Sequence, residues 1–386
     1  MEQAAEVRLR FQLLAFSLTR GLVNTAYRLV YPFLPFIARG VGVDSATLGQ
    51  AIALRSSLGI AGPLLGSVAD QRGRKTAMLL GMGIFIAGMA LIAIWPTYPA
   101  LFAALMCTGA SKIIFDSAMQ AYLGDRVPYE RRGLAIALTE FGWSGAFLLG
   151  VPIVGWLIAR AGWHSPFIWL SALGVGVTIW LWRAIPGDVS HLDTRPSFVQ
   201  GLRLVLSHRP AVAGLCIGLL IDASNEIVNI VYGVWMNDTF NLQVEALGAT
   251  AIFIGVAELL GEGMVAGLAD RLGKRRALAF GLVFYALACL ILPVIGRSLE
   301  GALLGLFLFF LGFEFSLVCT IPLMTELVPG ARATLMSANL TAFLLGKALG
   351  GFIGPGLFVM GIAANGVISA GLILVALGVL LLFVHE

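Results

Sequence analysis

Long apolar runs dominate this chain of 386 residues, and they restrict it to folds that a lipid bilayer accommodates. Hydrophobic residues make up 59% of the sequence and charged residues only 12%, about half the charged fraction of a soluble domain. A membrane-spanning helix needs about 20 mostly apolar residues. Charge clusters and Pro/Gly breaks divide the sequence into twelve such segments, at residues 11–37, 46–69, 76–95, 99–123, 133–159, 163–183, 210–236, 244–269, 277–296, 299–325, 334–360 and 363–384. The sequence therefore predicts an all-α membrane protein with twelve transmembrane helices.

The longest interruption between these segments is at residues 184–209. It contains two prolines and several charged residues, which are typical of a linker. We predict a cytoplasmic linker there, between a bundle of six helices at residues 1–183 and a second bundle of six at residues 210–386. Residues 198–206 are mildly amphipathic, so we expect them to lie along the membrane surface.

Arginine and lysine residues are concentrated in alternate loops. If both termini are cytoplasmic, only Arg39, Arg160 and Arg297 fall in the outer loops. This bias is the one that the positive-inside rule describes. We therefore predict an integral protein of a bacterial cytoplasmic (inner) membrane, with both termini in the cytoplasm.

A short charged loop occurs twice in the sequence. Residues 66–75 read Gly-Ser-Val-Ala-Asp-Gln-Arg-Gly-Arg-Lys, and residues 267–276 read Gly-Leu-Ala-Asp-Arg-Leu-Gly-Lys-Arg-Arg. Aligning the two loops places Asp70 over Asp270 and Gly73 over Gly273. A chain that repeats its own loop halfway along is predicted to contain two copies of one structural unit. With six spans in each copy, the copies are parallel repeats about an axis along the membrane normal.

The first loop has the pattern Gly-x-x-x-Asp-x-x-Gly-Arg-Lys and resembles the signature loop of the major facilitator superfamily of secondary transporters. Residues 125–133, after the fourth segment, resemble the corresponding later loop of that family. The resemblance extends over essentially the whole chain. The layout is similar to that of twelve-helix drug:proton antiporters, but it departs from them at two places. Leu105 stands where their fourth span carries an arginine, and their fifth-span motif is present only in part at residues 150–156.

The resemblance implies that the charged loops form a latch on the cytoplasmic side. Asp70 is expected at the N-terminus of the eleventh span, near Thr334, where the helix dipole favours a carboxylate. Arg74 is expected to pair with Asp125, and the second copy would form a weaker counterpart. The residues that we assign to this gating role are Gly66, Asp70, Arg72, Gly73, Arg74, Lys75, Asp125, Arg132, Asp270, Gly273, Lys274 and Glu326.

Ionisable side chains recur inside the predicted spans, where they are costly and mark substrate or ion pathways. Span one carries Arg20, Asn24 and Arg28 at helical spacing on one face, and span seven carries an acidic counterpart. One interpretation is a substrate and proton pathway, and the other is a set of ion pairs that hold the bundle together. The residues concerned are Arg20, Asn24, Arg28, Arg55, Lys112, Asp116, Glu140, Asp222, Asn225, Glu226, Asn229, Glu258, Glu262, Glu314 and Lys347.

Glu140 and Glu262 lie at similar depths in spans five and eight, which face each other in the family fold. Two carboxylates in that position would repel each other, so that one would retain a proton, as a proton carrier does. The alternative is that each pairs with an arginine such as Arg132. Arg55 and Lys347 lie near the middle of facing spans two and eleven, where they would either draw in an anionic group or neutralise the acidic residues.

The leading functional prediction is a secondary active transporter that exports small amphipathic compounds by alternating access, with a proton gradient as its energy source. No Gly-x-x-x-x-Gly-Lys-Ser/Thr loop is present in the sequence, so we do not expect ATP to drive transport. One alternative is a lipid or glycolipid flippase, or an organic-anion transporter, that uses the buried basic residues. Another is a membrane sensor that transports nothing. We expect a monomer that contacts membrane lipid and a small-molecule or lipid substrate. We expect no nucleic-acid partner, no cofactor, no metal and no enzymatic activity.

Overall fold

The computed structural model describes residues 2–62, 64–65, 68, 72–127, 138–187, 198–328 and 332–384, and the described part of the chain consists of helices joined by short turns, with no strand. The helices used below are α1 (Glu2–Arg28), α2 (Leu34–Val41), α3 (Ser45–Ser57), α4 (Arg74–Ile94), α5 (Tyr98–Arg126), α6 (Leu138–Ala161), α7 (Ser165–Ala184), α8 (Phe198–Ser207), α9 (Arg209–Asn229), α10 (Tyr232–Phe240), α11 (Val244–Leu272), α12 (Lys274–Ile295), α13 (Leu299–Leu327), α14 (Arg332–Phe358) and α15 (Ile362–Phe383).

Among the described residues, 10 helical segments are long and apolar enough to cross a membrane. They are α4 to α7, α9 continued by α10, and α11 to α15, which correspond to the predicted spans three to twelve. The predicted spans one and two are occupied by α1 with α2 and by α3. Helix α1 carries the buried Arg20 and Arg28, which make it less apolar, and α3 has only 13 residues. The prediction of an all-α integral membrane protein is confirmed.

The described chain divides by its contacts into two compact units. Unit 1 comprises Met1–Asp44, Ala61–Leu192 and Gln243–Ile252, and unit 2 comprises Ser45–Ile60, Asp193–Leu242 and Phe253–Glu386. Two segments therefore group with the other half of the sequence: α3 belongs to unit 2, and the first turns of α11 belong to unit 1. The predicted division into two six-helix bundles and a linker stays a prediction.

Predicted spans one and seven are each interrupted in the structure, whereas the sequence predicted one continuous helix for each. After α1, Pro32 has no N–H with which to continue the helix onto the carbonyl of Arg28. That carbonyl accepts a hydrogen bond from Tyr31 N instead, at 3.2 Å. After α9, the carbonyl of Ile227 is bonded from outside the helix, because Asn365 Nδ2 donates to it at 2.8 Å. Each break includes the valine of a Val-Tyr pair, at residues 30–31 and 231–232.

The linker helix α8 packs on unit 2. Val205 is fully buried in a cluster with Met324, Val328 and Leu335, whereas Leu204 and Leu206 are exposed. A helix is thus present where the sequence predicted an amphipathic segment. Its position along the membrane surface stays a prediction.

Candidate functional site

The predicted pathway residues are mostly buried within the two units. Lys112, Asp116, Glu140, Glu262 and Lys347 are half-buried. Those that are almost completely buried are Arg20, Asn24, Arg28, Arg55, Asp222, Asn225, Glu226, Asn229, Glu258 and Glu314. Such residues in a membrane protein require partners.

In unit 1, Arg20 connects three helices. Its Nε atom lies 3.2 Å from Asp116 Oδ1 on α5, and its Nη1 atom lies 2.7 Å from Glu140 Oε1 on α6. The same Nη1 atom donates to Thr139 Oγ1 at 3.4 Å. One guanidinium therefore holds two carboxylates from different helices, which its several N–H groups allow.

Lys112 extends this network on α5. Its Nζ atom donates to Asp116 Oδ2 at 2.7 Å and to Asn24 Oδ1 at 2.8 Å. Asn24 in turn donates through Nδ2 to the carbonyl of Gly142 at 3.3 Å. Both polar groups of the Asn24 amide are thus bonded within unit 1.

Arg28 lies against aromatic rings of α6. Its Cζ atom lies 4.1 Å from the centre of the Trp143 ring and 3.5 Å from that of Phe147, and Nη1 donates to the carbonyl of Trp143 at 3.2 Å. Lys112 Nζ lies 5.2 Å from the same Trp143 ring. These distances are those of cation–π contacts. Trp143 and Phe147 are not among the residues predicted from the sequence, although Trp143 follows Glu140 by one helical turn.

Small residues on α6 allow this close approach. A Cβ atom at Gly142 would lie 2.8 Å from the carbonyl of Ser17 and 2.9 Å from Gly21 N, so the backbones of α1 and α6 touch there. Gly150, eight residues later, lies against the side chain of Thr25. Glycines at four-residue multiples form the surface through which membrane helices pack closely, and here they set Arg20 beside Glu140.

In unit 2, the polar face of α9 lies beside α14. Lys347 Nζ lies 3.6 Å from Asp222 Oδ1, which is an ion pair at a distance longer than a hydrogen bond. Asn229 Nδ2 donates to Glu226 Oε2 at 3.2 Å. Asp222 and Glu226 are both almost inaccessible to solvent.

A glycine stripe on α14 brings these groups together. A Cβ atom at Gly346 would lie 3.1 Å from Asp222 Cβ, and one at Gly350 would lie 2.9 Å from Glu226 Cβ. Gly354 continues the stripe against Ile230. The stripe has the spacing of the α6 surface in unit 1, so each unit packs its interrupted helix against small residues.

The remaining predicted pathway residues of unit 2 lie on α3, α11 and α13. Arg55 is 1% exposed, and α3 reaches α14 two residues earlier, where Ala53 Cβ would lie 2.9 Å from a Cβ atom at Gly351. A Cβ atom at Gly261 would lie 3.0 Å from Glu314 Cβ. Glu258 and Glu262 lie on either side of Gly261 on α11. Of these three carboxylates, Glu258 and Glu314 are almost completely buried and Glu262 is half-buried.

The first charged loop is tied to its own unit by two cations. Arg74 Nε donates to Asp125 Oδ2 at 3.2 Å, which confirms the predicted pair. Lys75 Nζ donates to the carbonyls of Trp182 and Ile185, each at 2.6 Å, at the C-terminal end of α7. This second contact is absent from the sequence prediction.

The second loop repeats the first in two respects. Gly273 has φ 81° and ψ 146°, close to φ 90° and ψ 157° at Gly73, a region that glycine alone adopts without strain. Arg275, which aligns with Lys75, donates through Nη2 to the carbonyl of Leu381 at 3.2 Å, at the end of α15.

Several predicted gating residues lie outside what the structure describes. Gly66, Asp70 and Arg132 are outside the described residues, as are the side chains of Asp270 and Glu326. The expected contacts of Asp70 with Thr334 and of Lys274 or Arg275 with Glu326 therefore stay predictions. Arg72 is exposed and Lys274 is half-buried.

The chain matches a family model described as the Major Facilitator Superfamily, over residues 16–351 and 214–386. It belongs to this superfamily. The chain is 26% identical over 381 residues to the inner membrane transport protein YdhP of Escherichia coli (strain K12), covering 98% of this chain and 96% of that protein. It is 28% identical over 296 residues to the multidrug resistance protein MdtG of Serratia proteamaculans (strain 568), covering 71% and 68%.

A solved structure shows the same superfamily fold. It is described as a bacterial homolog to the human lysosomal transporter Spinster, in an inward-facing and unoccupied conformation. The two structures superpose with a TM-score of 0.80 at 15% identity, covering 97% of this chain and 96% of that chain. At this identity the match supports the all-α fold and nothing about the substrate.

In this superfamily member, the predicted basic stripe of α1 meets carboxylates of its own unit. Glu140 pairs with Arg20, whereas Arg132, the partner considered from the sequence, lies outside the described residues. Glu140 and Glu262 belong to different units, so their predicted approach stays a prediction. The predicted facing of the basic residues of α1 and the acidic residues of α9 also stays a prediction. Asp222 and Lys347 are brought together within unit 2.

Proposed function

We propose that this protein is a proton-coupled secondary transporter that exports small amphipathic compounds by alternating access. The observation that carries the proposal is the ion pair between the buried Asp222 and the half-buried Lys347, 3.6 Å apart. A proton on the Asp222 carboxylate removes its negative charge and releases the Lys347 ammonium from the pair. Because charge in the membrane interior is costly, this exchange changes the free-energy difference between conformations.

The relatives support the direction and the class of substrate. One of them is described as a multidrug resistance protein, and resistance follows when a transporter moves compounds out of the cell. Another is described as an inner membrane transport protein. We place both termini of this chain in the cytoplasm, on the charge bias of the loops. The aromatic rings around Arg28 and Lys112 supply an apolar surface with polar groups beside it, as an amphipathic compound requires.

The charged loops serve this cycle as a latch. In this proposal, a contact of Asp70 with the start of span eleven and the pair of Arg74 with Asp125 would together hold the cytoplasmic side closed. Asp70→Asn is then expected to lengthen distances between spin labels placed across the cytoplasmic face and to slow turnover. An unchanged distance distribution would remove the latch from the proposal.

Transport in proteoliposomes tests the coupling. With a fluorescent amphipathic cation as substrate, an imposed pH gradient should drive accumulation by the wild-type protein. Asp222→Asn should abolish accumulation but retain substrate exchange at zero gradient, because exchange needs no net proton movement. Glu300→Gln, which alters an exposed carboxylate at the start of α13, is the matched control. Accumulation that persists when the gradient is collapsed contradicts proton coupling.

A second candidate function is transport of an organic anion or a lipid headgroup. The observation in its favour is the cluster of Arg20, Arg28 and Lys112 inside unit 1, since buried cations suit a phosphate or a carboxylate. Reconstitution with fluorescently labelled phospholipids separates the two functions. Translocation of labelled lipid without accumulation of the amphipathic cation would favour the flippase.

A further inference from the structure

The break in predicted span seven is held by a residue of another helix. Asn365, in the first turn of α15, is fully buried. Its Nδ2 atom donates to the carbonyl of Ile227 on α9 at 2.8 Å and to that of Gly354 on α14 at 2.9 Å. A side-chain amide has two N–H groups to donate, and both are used at this one point. Asn365 therefore joins its own helix to two others through their backbone carbonyls.

The first of these carbonyls is the one through which α9 would continue. In a regular α-helix the carbonyl of Ile227 accepts from the N–H of Val231. Here Val231 N donates to the carbonyl of Val228 instead, at 3.1 Å, which is the tighter bond of a 3₁₀ turn. The amide of Asn365 occupies the carbonyl that Val231 has left. A side chain that inserts into the helical hydrogen bonds in this way interrupts a helix.

Close backbone packing brings the two acceptors of this amide together. A Cβ atom at Gly354 would lie 2.8 Å from the carbonyl oxygen of Ile227 and 2.6 Å from Ile230 Cγ2, so α14 and α9 touch at the break. Helix α3 reaches the same point, where a Cβ atom at Gly49 would lie 3.3 Å from Pro355 Cγ and 3.6 Å from Ile230 Cγ1. Helices α3, α9, α14 and α15 of unit 2 therefore meet at this break.

The corresponding break in unit 1 is fixed by the chain itself. Aligning the two Val-Tyr pairs places Gly233 where unit 1 has Pro32. Pro32 has no N–H, so α1 and α2 cannot join through it. Residues 225–232 contain neither glycine nor proline, and Gly233 has an N–H to donate. The break in unit 2 therefore depends on contacts from outside the helix and not on its local sequence.

We infer that Asn365 is a positioning residue for transport: its amide holds span seven broken at Ile227, and its release lets α9 and α10 join into one helix in another state of the cycle. Val231 N then moves from the carbonyl of Val228 to that of Ile227. A 3₁₀ turn has about 3.0 residues per turn and an α-helix about 3.6, so converting the two residues of the break rotates α10 by about 40°. At a side-chain radius of about 6 Å, this rotation moves a side chain of α10 by about 4 Å.

This inference rests on the alternating access of the proposed function, and a distance measurement tests it without substrate or gradient. A spin label at Thr239, near the end of α10, is paired in turn with labels at Met360 and Glu300, after the native cysteines are replaced by alanine. All three positions are exposed and lie in unit 2. Asn365→Leu removes both N–H donors at nearly the same volume. It should displace the label on α10 by about 4 Å relative to the two reference positions.

Ser369→Ala is the matched control. Ser369 lies one turn after Asn365 on α15, and its Oγ atom donates to the carbonyl of Ser224 at 2.9 Å, where α9 is regular. This variant loses a bond between the same two helices and leaves the break alone, so its distances should equal those of the wild type. Adding Gly233→Pro to Asn365→Leu should restore the wild-type distances, because the proline removes the N–H that the joined helix needs.

Substrate exchange connects the break to the transport cycle. Gly233→Pro alone should keep the wild-type distances, since proline is tolerated in the first turn of a helix such as α10. It should lower the rate of substrate exchange at zero gradient at least about tenfold and leave KM within about twofold, because substrate still binds but the helices cannot join. Retained distances show that this variant is folded, and it tests the inference without altering Asn365.

Unchanged distances in Asn365→Leu overturn the inference, and so does an equal shift in Ser369→Ala. Wild-type exchange by Gly233→Pro also overturns it, because the joined helix is then no part of the cycle. If the wild-type protein exchanges substrate but ignores the pH gradient, proton coupling is wrong and the inference about Asn365 stands.

Discussion

The Nη1 atom of Arg20 lies 2.7 Å from Oε1 of Glu140, and this contact joins α1 to α6 within unit 1. The two carboxylates held by Arg20 differ in environment. The Glu140 side chain is 36% exposed, whereas that of Asp116 is 19% exposed. Solvent therefore screens the ion pair of Arg20 with Glu140 in part, and it screens the pair of Arg20 with Asp116 only a little.

Removing Arg20 should destabilise unit 1 more than removing the charge of Glu140. Arg20→Met leaves Asp116 with Lys112 alone, and breaking a buried ion pair from one side costs about 3–5 kcal/mol. Glu140→Gln changes the partly exposed partner and should cost less than about 1 kcal/mol. Thermal unfolding of the purified protein in detergent measures both. An equal fall in unfolding temperature for the two variants would contradict this prediction.

A methyl group at Gly350 should separate α9 from α14. Its Cβ would contact the carbonyl of Ala223 and lie 2.9 Å from Glu226 Cβ. Overpacking of this kind costs about 1–3 kcal/mol. Gly356→Ala on the same helix is the matched control, because no atom lies within 4 Å of its Cβ position. Unfolding temperatures should fall for Gly350→Ala only; the prediction fails if the two alanine variants unfold together.

The membrane fold was predictable because each span is a long apolar run bounded by charges or Pro/Gly. Helix α4, for example, covers Arg74–Ile94, against a predicted span at residues 76–95. The break after Arg28 is marked in the sequence by Pro32, which has no N–H to donate. The break after Asn229 has no such mark, since its stabilising contact comes from Asn365, far along the chain.

The charged residues of the site were predictable and most of their partners were not. A charged residue inside an apolar span can be recognised in the sequence, but its partner depends on how neighbouring helices are rotated and how closely they approach. Glycine seams decide this approach, at Gly142 for Arg20 and at Gly346 for Asp222. Local pairs are the exception: Lys112 and Asp116 are one turn apart on α5, and they meet at 2.7 Å.

Alanine at Gly73 should strain the first charged loop. The backbone there has φ 90° and ψ 157°, where a side chain costs on the order of 1–3 kcal/mol. Gly83→Ala, inside α4, adds the same methyl group in open space, and alanine stabilises a helix interior by about 1 kcal/mol relative to glycine. The unfolding temperature should fall for Gly73→Ala and rise for Gly83→Ala. A stable Gly73→Ala variant would show that the loop relaxes to another conformation.

Lys75 and Arg275 should each stabilise the end of one helix. Lys75 donates to the carbonyls of Trp182 and Ile185 at the end of α7, and Arg275 donates to that of Leu381 at the end of α15. A cation at a helix C-terminus contributes about 0.3–1 kcal/mol, so Lys75→Met should speed amide hydrogen exchange in the last turn of α7 about two- to fivefold. Arg275→Met should do the same in α15. Each variant is the control for the other, because neither should affect the other helix. Lys75→Arg keeps the charge and its donors, so it should exchange like the wild type; faster exchange in that variant would show that the contact requires the lysine itself.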